Sequence, residues 1–521
     1  MARTLHSSLE QYLADYPNAV VLEEGRVAFE MARSSYSLVS DHGRCVLQLW
    51  SENQNCVRTV VGLQPRKDSL TVRVRRFGRT EPQTLLFVAD RDTRTPTTRQ
   101  ATRTRFLFAM ERLLAREWPE WKLFAMRSAM DLEHSFGPAY ARGMVTRGQS
   151  AWALIAVNGE EMPATIDGIL TLGILWLHQC RHPQKTSHSH RLVEGLRVIV
   201  PAGMAQVTAA RMAWLHPGLA KWELWEIEPQ GDALVRIDIS RQGNLKTRLV
   251  RAYSPALILD RFAASTARVL SMLPPDERAR VELRVRSTTE VALSLHGLEF
   301  ARVRHGLAPG TFNRQDQITF GAGPSETELN ADTETALGQL IARLFSSRRA
   351  SGSHADPLYR LQPERWLEAS LRQDLAEIEP SLNLQHIYSQ VPAFAAGDRG
   401  MFDLLTVNRS GRVAVLELKA DDDLQLPLQG LDYWLRVHQL LQQRSSTSAQ
   451  SEMQASGYFP GVSLSNEPPL LYFVAPALRI HPANETVLAY FAEEIEWNLI
   501  ALNEDWRTER KVVFRKHSNS L

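Results

Sequence analysis

Two acids and a lysine in the last third of the chain have the types and spacing of a hydrolytic centre. Asp403 interrupts an apolar run at 401–407 (MFDLLTV), and Glu417 and Lys419 end a second run at 412–419 (RVAVLELK). The intervening 408–411 (NRSG) is turn chemistry. Both runs therefore read as strands. In the second, alternation puts Val413, Val415, Glu417 and Lys419 on one face and Ala414, Leu416 and Leu418 on the other. A hard divalent cation takes oxygen ligands, which Asp403 and Glu417 can supply. Such a cation polarises a phosphoryl oxygen and lowers the pKa of a bound water. A lysine beside it orients that water or neutralises charge in the transition state. The set suits hydrolysis of a phosphodiester; a salt-bridged edge strand without chemistry is the plainer alternative.

These side chains need elements to hold them. A helix expected over 428–442 carries Gln429 and Tyr433 one turn apart on one face. An earlier helix over 364–377 starts after Pro363, a favourable first-turn residue. Its buried stripe is Leu367, Leu371, Leu375 and Ile378, with Glu364 and Glu368 near that stripe and Glu364 read as closer to its centre. A strand at 470–474 leading to Pro476 and a helix at 485–491 complete the module, with Trp434 assigned to the core. Tyr472, Arg479 and His481 are candidates to line a groove, and the acidic run 421–423 reads as a solvated loop.

Asp403, the Glu417-Leu418-Lys419 triplet fourteen positions later, and Gln429 with Tyr433 resemble the core of the PD-(D/E)xK nuclease superfamily. The pairing of ExK with QxxxY is similar to its RecB-like branch, which includes mismatch endonucleases with a β-rich N-terminal domain. The resemblance covers roughly residues 360–500. It implies a restriction-endonuclease-like α/β core and Mg²⁺ or Mn²⁺ held by Asp403, Glu417 and the Leu418 backbone carbonyl. It also implies that Lys419 orients or helps deprotonate water, and that Gln429 and Tyr433 support the lysine and contact nucleic acid. A glutamate on the first helix, Glu364 or Glu368, would reach the metal. Phe402 stands before Asp403 where the family often has proline.

Composition sets the frame. The 521 residues suggest several domains, and 44% hydrophobic with 23% charged residues is the balance of a globular protein. A net charge of +2 does not announce a nucleic-acid binder, so local clusters matter more. Three cysteines (Cys45, Cys56, Cys180) exclude a disulfide framework and fit a reducing compartment. The first residues lack the apolar segment of a signal peptide, and the longest apolar stretch, 166–177, is too short to span a bilayer. A cytoplasmic location without membrane contact is expected. There is no Walker A motif, so any ATPase or helicase must be another chain.

Four regions are expected: a β-rich domain at 1–105, an α/β domain at 106–250, a helix plus small β-rich domain at 251–350, and the nuclease-like domain at 356–521, with 346–355 as a linker. The overall class is α/β, α+β over the whole chain. The second region has elements in the order of the fourth: a helix (106–118), a strand (150–157), a helix (166–180), a strand (195–200) ended by Pro201, a helix (204–215) and a strand (222–227). Residues 196–201 echo 471–476, and 175–177 echo 433–435, but Ile155 and Val157 stand where Glu417 and Lys419 stand. The expectation is a degenerate nuclease-like copy, giving an internal pseudo-dimer in which one half grips and the other cuts.

Two further clusters were weighed. His178, Cys180, His182, His188 and His190 match no recognised zinc spacing and read as an exposed loop. Arg66, Lys67, Arg73, Arg75, Arg76, Arg79, Arg91, Arg94, Arg99, Arg103 and Arg105 could contact phosphates; a solvated arginine-rich face is the reading preferred. The expected activity is a Mg²⁺- or Mn²⁺-dependent deoxyribonuclease, an endonuclease ahead of an exonuclease, acting on DNA or else RNA. The alternative is a catalytically silent nucleic-acid-binding or assembly protein on the same fold.

Overall fold

The computed structural model describes all residues except 1, 18, 24–25, 32–33, 42–43, 51–54, 67–68, 76–82, 89–95, 132–134, 183–190, 229–232, 241–246, 253–254, 308–312, 323–325, 396–397, 444–450 and 519–521. The fold is mixed, with helices and four sheets. Two compact units are formed: Met1–Asn244 with Glu485–Ala492, and Leu245–Asn484 with Glu493–Leu521. No helix among the described residues is long and apolar enough to cross a membrane.

In the first unit, the strands from Val20–Glu23 to Gln83–Val88 in the chain form a seven-stranded antiparallel sheet with Arg26–Glu30 and Ser35–Asp41 at its edges. The helix Ala2–Asp15 was not anticipated; Leu9 and Leu13, one turn apart, bury it in the same core as Leu47, Leu49, Val72 and Phe87. Arg73 and Arg75 are exposed on one face of their strand. Lys67, Arg76, Arg79, Arg91, Arg94 and the side chains of Arg66 and Arg99 lie outside the described residues, as do His188 and His190.

The unit's second sheet contains β1 (Lys122–Arg127), β2 (Tyr140–Arg147), β3 (Ser150–Val157), β4 (Leu192–Pro201), β5 (Lys221–Ile227) and β6 (Leu234–Ile237), adjacent in chain order. Strands β3, β4 and β5 are parallel, whereas β1–β2–β3 and β5–β6 are antiparallel. Helix α1 (Pro96–Glu117) precedes it, α2 (Ile169–Arg181) joins β3 to β4, and α3 (Ala205–Met212) joins β4 to β5. Strand β2 was missed in the sequence because Arg142 and Gly143 break its apolar pattern.

In the second unit, five strands from Val281–Ser287 to Thr327–Glu328 form an antiparallel meander. Helices Ala263–Ser271 and Glu334–Ser347 cover it through Val269, Leu337, Ile341 and Leu344. The larger sheet contains β7 (Thr247–Leu249), β8 (Tyr388–Ala395), β9 (Asp398–Val407), β10 (Val413–Leu418), β11 (Leu470–Pro476), β12 (Trp497–Leu502) and β13 (Val512–His517), in that order. Strands β10, β11 and β12 are parallel and fully buried apart from Asn498, as strands covered by helices on both faces must be. Helix α4 (Pro363–Gln373) covers one face, with Trp366, Leu367 and Leu371 against Leu416, Leu418, Tyr472 and Val474. Helix α5 (Leu426–Gln442) connects β10 to β11 and covers the other face; the β11–β12 connection includes α6 (Ala483–Leu488).

Strands β8 to β13 repeat the order and senses of β1 to β6 without exception, with helices in the same connections. Strand β8 includes Pro392, which pairs with Met401 inside the sheet.

Three expectations need correction. The single helix expected at the start of 251–350 is two helices, Pro255–Arg261 and Ala263–Ser271, parted at the fully buried Phe262. The helix over 364–377 stops at Gln373 and resumes as a short 3₁₀ turn at Leu375–Glu377. The segment 346–355 is not a free linker. Arg348 in it is fully buried and donates to the carbonyls of Leu295, His296, Leu358, Leu361 and Gln362, with its guanidinium 4.7 Å from the Trp366 ring centroid. A surface-coloured sequence was used as a peg, which composition does not reveal.

Helix α5 reaches its sheet through Gly430, where a Cβ would run into the Phe473 ring and crowd Leu471. Gly430→Ala is expected to lower unfolding stability by about 1–3 kcal/mol through overpacking, with Gly148→Ala, an open site of positive φ, as a strain-only comparison. Urea unfolding checks this.

Candidate active site

Asp403 lies on β9 and Glu417 on β10, and the ladder between these strands ends just before they meet. The last pair is Leu404–Leu416, and the next step would set Asp403 against Glu417. Instead the Leu418 N–H donates to Asp403 Oδ2 at 3.0 Å. On the other side of β9, Ser389–Leu404 and Val391–Phe402 pair, and Gln390 stands opposite Asp403 with a left-handed φ of +52°. Asp403 is thus released from the ladder on both sides. Left-handed backbone is costly for a non-glycine residue and clusters at functional sites. The turn from β9 to β10 forms as its residues predict: Asn408 Oδ1 accepts from the Ser410 and Arg412 N–H groups, and Gly411 takes φ +82°.

Asp403 and Glu417 come within hydrogen-bonding reach of one another. Glu417 is 2% exposed, and its Oε2 is buried without a hydrogen-bond partner. Burial first, and then the Asp403 charge, push the Glu417 carboxyl well above the usual range. Burial likewise pushes Asp403 up to about 7, against the Leu418 N–H that favours its charged form; Glu368 adds to the rise, and Arg365 and Lys419 oppose it. Two carboxyls so placed hold a proton between them unless a cation takes its place.

Lys419 completes the set. Its Nζ is 3.6 Å from Glu417 Oε1, 3.3 Å from Asp423 Oδ2 and 3.7 Å from Glu364 Oε1. Burial disfavours the ammonium, but Glu417, Glu364, Asp423 and Asp403 together more than offset it and raise its pKa. Beside these carboxylates Lys419 is held in its charged form, as a donor. Leu418, between the two, points its side chain into the opposite core.

On α5, Gln429 presents a buried Oε1 with no hydrogen-bond partner. Tyr433 packs edge-on against Phe402 at 5.5 Å, and its hydroxyl is held neutral by burial and then by Glu417 and Asp403. Of the two α5 residues, Tyr433 is the one that feels the strand carboxylates. Trp434 is fully buried and donates to the Pro469 carbonyl, as a core residue should.

The two α4 glutamates fall in the reverse of the expected order of burial. Glu368 is 1% exposed and saturated: Arg284 Nη2 at 3.1 Å, Arg365 Nη1 at 3.1 Å and Gln390 Nε2 at 2.6 Å. Glu364 has a side chain 43% exposed. Gln390 also donates to Asp403 Oδ1 at 3.2 Å, so Glu368 reaches Asp403 through it. Tyr472 is corrected from groove to core, since it lies in the α4-side core, and Arg479 is exposed. His481 Nδ1 accepts from the Ala483 N–H. Of the acidic run, Asp421 and Asp422 are exposed, but Asp423 pairs with Lys419 and accepts from the Gln425 N–H.

Sequence reading missed Gln390, Arg284, Arg365 and Asp423. Arg365 and Asp423 had a local signal, an i,i+3 spacing to Glu368 and i,i+4 to Lys419. Gln390 and Arg284 had none, because tertiary folding alone brings them in.

Oxygen donors, two of them carboxylates with an orphaned Oε2, fit a hard divalent cation. Among the described residues no three His, Cys, Asp or Glu side chains form a preformed cage. Asp403 and Glu417 would therefore be joined by a backbone carbonyl and water.

A raised carboxyl pKa stabilises the folded state at low pH and loses that stabilisation as pH rises through it. In chelator, the melting temperature should therefore fall as pH rises from about 4 through about 7. Asp403→Asn should flatten this slope and melt higher than wild type at the alkaline end. Parallel pH profiles of the two proteins would contradict the buried carboxyl pair.

No protein-family model matches the chain, and no curated protein matches it in sequence.

Proposed function

We propose that the second unit carries a metal-dependent nuclease centre of the PD-(D/E)xK type that hydrolyses phosphodiester bonds in DNA. The observation that carries this reading is the convergence of Asp403, Glu417 and Lys419 where two strands part, with an oxygen of Glu417 that has no hydrogen-bond partner among the described residues. Asp403, Glu417 and the Leu418 carbonyl would hold Mg²⁺ or Mn²⁺, which supplies Lewis acidity and a water of lowered pKa. Lys419, held in its charged form, donates to the attacking water or to the phosphoryl oxygen that gains charge. Gln390 holds Asp403 Oδ1 in place, and Glu368, pinned by two arginines, holds Gln390. Tyr433, neutral and beside the carboxyls, supplies a hydroxyl to the same space. Glu364, the more exposed glutamate, pairs with Lys419 and would be the α4 carboxylate beside an ion. The same strand plan in both units supports the pairing of an active and an inactive copy.

Cleavage of labelled single- and double-stranded DNA should require Mg²⁺ or Mn²⁺ and stop in chelator, with RNA tested alongside. Lys419→Ala should lower the rate by about a hundredfold or more, the cost of removing one charge-stabilising group. Gln390→Ala should lower it less, by about tenfold, with weaker dependence on metal affinity than Asp403→Asn shows. Binding of DNA without cleavage under any divalent ion would favour the silent binding protein instead.

A further inference from the structure

The register of the two matching sheets identifies which residues of the first stand where the carboxyls of the second stand. Glu417 pairs with Phe473, three residues before Pro476 at the end of β11. Ile155 pairs with Val198, three residues before Pro201 at the end of β4. The next strands agree, since Phe473 pairs with Leu499 and Val198 with Leu224. Ile155 is therefore the counterpart of Glu417. Its partner on β2 is Arg142, which thus takes the place of Asp403.

Arg142 is not an ordinary surface arginine. It is 1% exposed, and its Nη2 donates to the Ala129 carbonyl at 2.9 Å. Asp131 lies 4.0 Å away, too far for a hydrogen bond, and the guanidinium sits 4.4 Å from the Phe136 ring centroid. Its Nε and Nη1 are buried with no partner among the described residues. Directly across the ladder from it is a second arginine, Arg127 on β1, which is exposed and makes no ion pair among the described residues. Both guanidiniums lie over Trp176, at 5.9 and 5.4 Å, and the Trp176 Nε1–H fixes that ring by donating to the Gly143 carbonyl. Like charges directly opposite across a strand pair are destabilising, and unpaired buried donors call for an ion or water. Burial, then Arg127, pull the Arg142 pKa down to about 10, against the Asp131 carboxylate, which favours its charged form.

We infer that Arg127 and Arg142 form a phosphate-binding site in the first unit, with Arg142 as the buried floor and Arg127 as the exposed lip. Two forked guanidiniums present parallel N–H donors that match the oxygens of a phosphoryl group. The same position in the two sheets thus carries opposite charge: carboxyls in the second, guanidiniums in the first. The site does not depend on the nuclease reading, because it stands on residues of the first unit alone.

The test uses the full chain in chelator, titrated with inorganic phosphate, with a nucleoside monophosphate and with a labelled single-stranded oligodeoxynucleotide. Inorganic phosphate should raise the melting temperature of wild type, and Arg127→Ala should weaken this binding by about tenfold or more. Arg142→Lys, which keeps the charge and loses the fork, should weaken it as well; if that variant does not fold, Arg127→Ala still decides the matter. Asp403→Asn should bind phosphate as wild type does. Competition of the oligonucleotide with phosphate identifies the nucleic-acid backbone as the source, and competition by the monophosphate alone identifies a free phosphomonoester. No response to phosphate, or an equal response in Arg127→Ala, overturns the inference. Cleavage of DNA together with that negative result would leave the nuclease reading standing, and phosphate binding without cleavage would do the reverse.

Discussion

Burying two carboxyl groups against each other is costly, because neither is solvated and each raises the energy of the other's charge. The second unit accepts that cost between β9 and β10. It does so by ending the strand ladder at Leu404–Leu416, so that Asp403 turns its oxygens to the Leu418 N–H and to Gln390 while Glu417 keeps one oxygen unpartnered. Most other features of the site follow from this constraint. Lys419 supplies a nearby positive charge, and Asp423 and Glu364 hold that lysine in turn. Two carboxyls so placed repel each other when both are charged, and taking up a proton relieves that repulsion.

The support around Asp403 is unusually indirect. Gln390 adopts a left-handed backbone that a glutamine does not prefer, and the arrangement persists because its amide bridges Glu368 and Asp403. Glu368 in turn is neutralised by Arg365 from its own helix and Arg284 from the small antiparallel sheet. The meander of 281–328 therefore does more than cover a helix pair. One of its strands places a cation, nearly buried, at the back of the carboxyl cluster, which ties that sheet to the chemistry through Glu368 and Gln390.

The two units use one strand order for opposite electrostatics. In the second, a polar gap opens in the sheet; in the first, Ile155 and Val157 close the corresponding face with apolar side chains, and Arg142 fills the place of the aspartate. The first sheet keeps an irregularity at this point, a register shift between Phe124 and Arg127 opposite Gly143. An irregularity in the preceding strand pair is common to both sheets, but the β2–β3 ladder continues through Ile155–Arg142 where the β9–β10 ladder stops at Leu404–Leu416.

Much of this was legible in the sequence. Alternation in 412–419, the turn at 408–411 and the four-residue spacing of Gln429 and Tyr433 are local rules of strands, turns and helices, and each placed its side chains on the correct face. The repeat order was legible too, through the proline-ended strands. What the sequence could not show were the partners that meet only after folding. Gln390, Arg284, Arg348 and Arg142 carry no local signal of the partners they meet in the fold. Local sequence determines which face a side chain takes, because backbone periodicity is short-ranged. Burial, pairing and the resulting pKa shifts are decided by the tertiary structure, because they depend on which distant strand or helix supplies the counter-charge.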